Sequence, residues 1–152
     1  MRSKSLDHQK LCFRYFNEDT NAHEIEMLWC IKSGNHYIVD NIPVYVPSVA
    51  FKDVVEGRKV NGELFATQIL EVSGNSTVRV LFKNKALIGG TIDKMRLLGC
   101  DSEISNIPHL VAFNIPKEID YFNLVQPYLQ EGENKGKWEY EESCLAHDQI
   151  KG

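Results

Sequence analysis

Short apolar runs separated by polar turn residues fill the first half of the chain. These runs are LCFRYF (11–16), EIEMLWCIK (24–32), HYIVD (36–40), DVVEGRKV (53–60) and ELFATQILEV (63–72). The dipeptides Gly34-Asn35 and Asn61-Gly62 favour tight hairpin turns between neighbouring runs. Consecutive short strands of this kind predict a small antiparallel β-barrel or a strongly bent sheet over residues 11–75.

The segment Asp40–Pro47 interrupts this pattern with two prolines. Proline lacks a backbone donor and holds the residue before it in an extended conformation. We therefore expect an ordered connector or an edge here, in which Asp40, Asn41 and Pro43 form a structural turn.

The second half changes rhythm, because helical spacing of apolar residues appears between the strand patterns. Strand patterns at 76–82, 100–105, 109–116 and 137–147 enclose predicted helices at 85–98 and 119–132. This is the order of a ferredoxin-like βαββαβ unit, which we predict over residues 76–147. The predicted fold class is α+β, a β-rich half packed on a ferredoxin-like half, with a disordered tail at 1–10 and a short tail at 148–152.

Both predicted helices contain residues that disfavour a helix. Each glycine of the Gly89-Gly90 pair costs about 1 kcal/mol in a helix interior, and Pro127 is expected to mark a break. Gly89-Gly90-Thr91 has the residue types of a phosphate loop but lacks the Lys-Ser/Thr of a P-loop. We expect these glycines to allow close packing of the helix on the sheet.

The last strand combines aromatic and reactive side chains. Alternation along the strand predicts one face with Trp138, Tyr140, Glu142 and Cys144. The opposite face would carry Glu139, Glu141 and Ser143. The first face is expected to point toward the core.

Composition and charge exclude several classes of protein. With 43% hydrophobic and 25% charged residues, the chain of 152 residues has an ordinary globular composition. The net charge of −4 argues against nucleic-acid binding, which requires clustered Lys and Arg, and fits a basic protein partner better. There is no apolar run of membrane-spanning length and no signal-peptide core after the basic amino terminus, so we expect a cytoplasmic protein that does not bind membranes.

The four cysteines are far apart and form no CxxC pair. They are expected to be free thiols, and neither a metal nor a cofactor is expected. A zinc site built from Cys100, His109, Cys144 and His147 is the alternative, although its spacing matches no known zinc signature.

Four phrases in order resemble a known family. They are DNIPVYVPSVAFKDVVE (40–56), SGNSTVRVLF (73–82), LGC (98–100) and GKWEYEESCLAH (136–147). They resemble a family of small bacterial proteins that is described only as a domain of unknown function, over residues 25–147. The resemblance implies no activity, and it adds an expected association with toxin–immunity loci. Asn75 stands where the family pattern has histidine, so any chemistry of that histidine would be impaired here.

The enzymatic hypothesis rests on Glu142, Cys144 and His147 as a catalytic set. A Cys–His pair can form an activated thiolate, and a carboxylate can orient the imidazole. However, Cys144 and His147 are only three residues apart, whereas a nucleophile and its base normally come from different elements. A small enzyme or ligand-binding regulator with Arg79, Glu142 and Cys144 in a cleft between the halves is therefore the second hypothesis.

The leading hypothesis is a non-enzymatic protein-binding domain that acts as an immunity protein against a basic toxin such as a nuclease. An acidic patch of Asp101, Glu103, Glu139 and Glu141 would face the partner if their strands are neighbours, with Arg79 exposed beside hydroxyl groups. The sequence leaves the oligomeric state open.

Overall fold

The computed structural model describes residues 7–148, and the remaining parts of the predicted tails lie outside the described residues. Five antiparallel strands form the first sheet in chain order. They are β1 (His8–Asn17), β2 (Ala22–Ser33), β3 (His36–Val39), β4 (Val54–Val60) and β5 (Glu63–Glu71). The first and last strands also meet at one parallel pair, Cys12 with Phe65, so the sheet is strongly bent.

Strand β1 begins at His8, inside the segment that we predicted to be a tail. The His8 ring lies against the Trp29 ring with a centroid distance of 4.7 Å, and its Nε2 atom is 2.9 Å from Asp40 Oδ2. These partners lie on β2 and just beyond β3, so the polar local sequence gave no sign that the strand extends this far.

The predicted hairpin turns are present. Asn61 and Gly62 both have positive φ, at 51° and 83°, as a two-residue turn between twisted strands requires. Alternate side chains are buried along the central part of β2 and along β3, whereas β1 buries the consecutive residues 11–13 and β4 buries only Val55. The resulting first core includes Leu11, Phe13, Leu28, Cys30, Val39 and Val55.

Four strands and two helices form the second sheet and its covering layer. They are β6 (Ser76–Phe82), α1 (Ile88–Leu97), β7 (Asp101–Ile104), β8 (Leu110–Ile115), α2 (Gln126–Asn134) and β9 (Trp138–Cys144). The strand order is β7-β8-β6-β9, and all neighbours are antiparallel. The α+β class and the two antiparallel sheets are thus confirmed. Within residues 7–148 no helix has the length and apolar character needed to cross a membrane.

One face of the second sheet packs against the helices. The core there contains Val78, Val80 and Phe82 of β6 with Met95 of α1 and Leu129 of α2. The Trp138 indole Nε1–H donates to the Leu129 carbonyl at 2.9 Å, so a large ring from β9 is held under α2.

The second predicted helix begins differently from the expectation. A π-helical turn, Tyr121–Val125, precedes α2, and Pro127 lies in the first turn of α2. The missing N–H of proline costs nothing there, because first-turn N–H groups have no intrahelical acceptor. The break expected at Pro127 is therefore the change from π-helix to α-helix, which lies just before Pro127.

The expectation for Gly89-Gly90 was wrong. Both glycines are exposed in the first turn of α1, and no atom lies within 4 Å of an added Cβ at either position. Thr91 is buried instead, and its hydroxyl donates to the Leu87 carbonyl at 2.7 Å.

Residues 40–53, here called the connector, run without regular secondary structure between the two sheets. The Glu26 carboxylate, from β2, accepts the backbone N–H groups of Val44, Tyr45 and Val46 at 2.9–3.0 Å. The Arg79 guanidinium, from β6, donates to the carbonyls of Val44 and Tyr45 at 3.2 Å. A carboxylate from the first sheet and a guanidinium from the second thus pair connector backbone groups that a neighbouring strand would otherwise pair.

Further side chains bind the rest of the connector. Asp53 accepts from the N–H groups of Ala50 and Ser73, at 2.9 and 2.8 Å. Thr77 of β6 donates to the Val49 carbonyl at 3.3 Å. The Asn41 oxygen accepts from the Trp29 N–H, in keeping with the structural role expected of Asn41. Seven connector residues are buried: Asp40, Pro43, Val44, Val46, Val49, Ala50 and Asp53.

Replacing Gly132 by alanine should lower the free energy of unfolding by about 3 kcal/mol, because the added methyl group would overlap the buried Trp138 indole. Gly89→Ala is the matched control in the other helix and should raise stability by about 0.5 kcal/mol. Urea unfolding measures both values, and equal effects would contradict this packing.

Glu26→Gln should lower the free energy of unfolding by about 2 kcal/mol, because the amide places an N–H group against a backbone donor of the connector. Glu18→Gln, at an exposed position, is the control and should have no measurable effect. A near-neutral Glu26→Gln variant in urea unfolding would show that the connector does not need this carboxylate.

Candidate functional site

An open groove of about 740 Å³ lies where the end of β1 and the connector meet strands β6 and β9. Aromatic and apolar side chains form much of its wall. They are Tyr15, Phe16, Tyr45, Leu81, Ile107 and Leu110. Phe16, Leu81 and Ile107 are 44–47% exposed, so the wall offers apolar surface to a ligand. A concave site of this size with an apolar wall is typical of a binding groove.

Arg79 lines the groove, and its guanidinium already has hydrogen-bond and ion-pair partners. It donates to two connector carbonyls and pairs with Glu141 of β9. Burial lowers the pKa of Arg79, while the surrounding Tyr15, Glu26 and Asp19 act in the opposite direction. The guanidinium therefore holds the groove together, and we do not assign it the anion-binding role that an exposed arginine could have.

Four carboxylates lie around the same groove: Glu18, Asp19, Glu139 and Glu141. Glu139 pairs with Lys83 at 2.8 Å, and this hydrogen bond lowers the pKa of Glu139. Among the described residues, Glu18 and Asp19 form no ion pair. The carboxylates of Glu18 and Asp19 can therefore pair with a basic ligand in the groove.

The predicted acidic patch is divided. Asp101 and Glu103 lie on β7 at one edge of the second sheet, whereas Glu139 and Glu141 lie on β9 at the other edge. Two strands separate them, a distance of about 14 Å at the usual strand spacing. The condition set for this patch, that the strands are neighbours, is not met. Strand order is a tertiary property that the alternation within each strand does not carry.

The catalytic set of Glu142, Cys144 and His147 is not assembled. A bulge between β6 and β9 moves the pairing from Arg79 with Glu141 to Thr77 with Cys144. The extra residue turns Cys144 to the connector side of the sheet, the side of Thr77. Glu142 remains on the helix side, so these two residues do not share a face as predicted.

Glu142 and His147 have separate partners on the helix side. The Glu142 carboxylate accepts from the Tyr121 hydroxyl and from Gln126. Burial, and then the hydrogen bond to Glu142, raise the pKa of Tyr121. Neither Glu142 nor Cys144 lines the groove, so the second hypothesis keeps only Arg79 of its three cleft residues.

Sequence reasoning missed the partner of His147. Its Nδ1 atom is 2.6 Å from the Ser76 hydroxyl, which also accepts the N–H groups of Ala146 and His147. Since the serine oxygen already accepts two hydrogen bonds, its proton points to Nδ1, and His147 Nε2–H donates to the Pro116 carbonyl at 2.9 Å. Ser76 is completely buried on β6, so this Ser–His pair holds residues 146–147 against that strand.

The residues of the alternative zinc site are dispersed. Cys100 is buried just before β7, and His109 Nδ1 is 3.1 Å from the Phe82 carbonyl. Across residues 7–148, no three His, Cys, Asp or Glu side chains converge in a way that could hold a metal ion.

Asn75 has a structural role. Its amide N–H donates to the Phe51 carbonyl of the connector, and its oxygen accepts the Lys117 N–H, at 2.8 and 2.9 Å. These two hydrogen bonds connect the connector to the segment that follows β8. The sequence carries no signal for them, or for Tyr15 and Tyr45 in the groove, because their partners are far away in the chain.

The geometry defines an α+β domain with a groove between two sheets. Comparison with family models places the chain in a family: it belongs to the family described as Domain of unknown function (DUF4265), whose model matches residues 26–140. The family resemblance of the sequence phrases is thereby confirmed.

A solved structure shares this fold. A hypothetical protein from Neisseria gonorrhoeae superimposes with a TM-score of 0.77 at 20% sequence identity, over 93% of this chain and 97% of that chain. A comparison with curated proteins returned no match.

Alkylation of Cys144 should be slow at neutral pH and should accelerate about tenfold per pH unit between about pH 7 and pH 10. Burial, and then the charge of Asp53, raise the pKa of this thiol to about 11, so the reactive thiolate is scarce at neutral pH. Iodoacetamide labelling followed by mass spectrometry of the Cys144 peptide measures the rate, with Cys144→Ser to confirm the assignment. A rate plateau below about pH 8 would instead indicate an activated thiolate.

Proposed function

We propose that this protein is a non-enzymatic protein-binding domain and that the groove holds a segment of its partner. The observation that carries this proposal is the lining of the groove, where half-exposed apolar side chains lie beside carboxylates. Large side chains with exposed apolar surface are the usual anchors of protein recognition. Leu81 lies on β6, and Ile107 lies in the loop from β7 to β8, where its N–H donates to the Ser105 hydroxyl, so a partner meets a preformed surface.

The charge of the groove supports a basic partner. Glu18 and Asp19 have no ion-pair partner within residues 7–148, and the net charge of the chain is −4. Complementary charge accelerates association and selects against acidic competitors. Specifically, we propose that the protein is an immunity protein that neutralises a basic toxin domain, such as a nuclease.

We also propose that β6 to β9 with their helices form a ferredoxin-like sandwich. The split order β7-β8-β6-β9, with a helix after β6 and another after β8, supports this assignment. Both helices then lie on one face, and the other face is left for the connector and the groove.

Selection of phage-displayed random dodecapeptides on the immobilised protein tests the groove. Enriched peptides should combine Lys or Arg with aromatic or aliphatic residues. Leu81→Ser should weaken binding of a selected peptide about fivefold, since it removes roughly 1 kcal/mol of apolar contact. Met27→Ser is the matched control, because Met27 is 50% exposed and lies outside the groove.

Binding of acidic peptides, or equal losses in Leu81→Ser and Met27→Ser, would contradict the groove proposal. For the toxin form, co-expression with the product of the adjacent gene should give a complex that survives physiological salt. Loss of this complex in the Leu81→Ser variant would show that the toxin binds in the groove. A complex that survives Leu81→Ser would show that the toxin binds outside the groove.

A further inference from the structure

A second, smaller pocket of about 180 Å³ lies where β7 and β8 meet the two ends of the connector. Three carboxylates line it, from Asp40, Asp101 and Glu103, together with the amide of Asn114 and the ring of Phe51. This pocket shares no residue with the groove. A ligand of this pocket is therefore independent of what the groove binds.

The amide of Asn114 is the feature that points to a ligand. Asn114 is only 5% exposed, and its Oδ1 atom is buried without a hydrogen-bond partner. Asn114 lies directly opposite Asp101 in the pairing of β8 with β7, so the two side chains are on the same face. A buried acceptor without a donor destabilises the fold, and a donor in this pocket would satisfy it.

Two of the carboxylates around Asn114, those of Asp101 and Glu103, are available for a cation. Neither Asp101 nor Glu103 forms an ion pair within the described part of the chain. Asp40 is next to His8, and the Lys52 ammonium lies over the Phe51 ring at 5.5 Å. Asp101 and Glu103 therefore leave negative charge at the pocket that no ion pair within residues 7–148 balances.

The ligand is expected to carry N–H donors. No three acidic, histidine or cysteine side chains in residues 7–148 converge on a point that could hold a metal ion. The acceptors are instead spread around a space that fits a small organic cation. We propose that this pocket binds an alkylammonium or guanidinium group, either on a free amine or on a Lys or Arg side chain of a partner protein.

Titration of the ¹⁵N-labelled protein with n-butylammonium, followed by NMR, tests this inference. Chemical shifts should move for Asp101, Glu103 and the Asn114 side-chain amide. The double variant Asp101→Asn/Glu103→Gln should bind roughly tenfold more weakly. Both residues are exposed, so the fold should be retained, and the spectrum itself reports whether it is.

Two variants separate this pocket from the groove. Glu139→Gln/Glu141→Gln makes the same change of charge at the other edge of the sheet and should leave n-butylammonium binding unchanged. Leu81→Ser should also leave it unchanged, so the groove proposal can fail while this inference stands, and the reverse also holds.

The choice of ligand distinguishes the source of the cation. Tighter binding of spermidine than of the peptide acetyl-Gly-Lys-Gly-amide would support the pocket and indicate a free amine, and the reverse order would support it and indicate a partner side chain. An equal response to n-butanol, tighter binding of Ca²⁺ than of any amine, or unchanged binding in Asp101→Asn/Glu103→Gln would overturn the inference.

Discussion

The hydrogen bonds between Glu26, the connector and Arg79 are the interaction on which the arrangement of the two sheets depends. The connector forms no strand ladder, yet half of its residues are buried, and buried backbone groups must be paired. Glu26 accepts its N–H groups from the side of the first sheet, and Arg79 donates to its carbonyls from the side of the second. Because one irregular segment is hydrogen-bonded to side chains of both sheets, the groove formed along it has a fixed shape.

Local patterns predicted most of the secondary structure because their causes are local. Alternation gave the strands, and Asn61-Gly62 supplied the positive φ values that its hairpin turn needs. The start of β1 at His8 was missed, because its contacts with Trp29 and Asp40 come from other strands. The connector was expected to be ordered, but the Glu26 and Arg79 contacts that order it are far apart in sequence.

The candidate sites were harder to predict than the fold, for two physical reasons. The acidic patch required β7 and β9 to be neighbours, and strand order depends on how the whole sheet assembles. The catalytic set required unbroken alternation in β9, and one extra residue between Glu141 and Cys144 reversed the side on which Cys144 lies. Arg79 lines the groove, but its N–H groups donate to the backbone of the connector.

The placement of the connector also determines how the molecule can respond to a ligand. Val46 and Val49 of the connector are buried in the first core, whereas Arg79 on β6 donates to the connector carbonyls, so separating the sheets would leave Arg79 without these partners. Hinge opening would therefore leave buried polar groups unpaired, which disfavours it. A ligand must then enter a cavity that already has its final form, and little ordering entropy is lost on association.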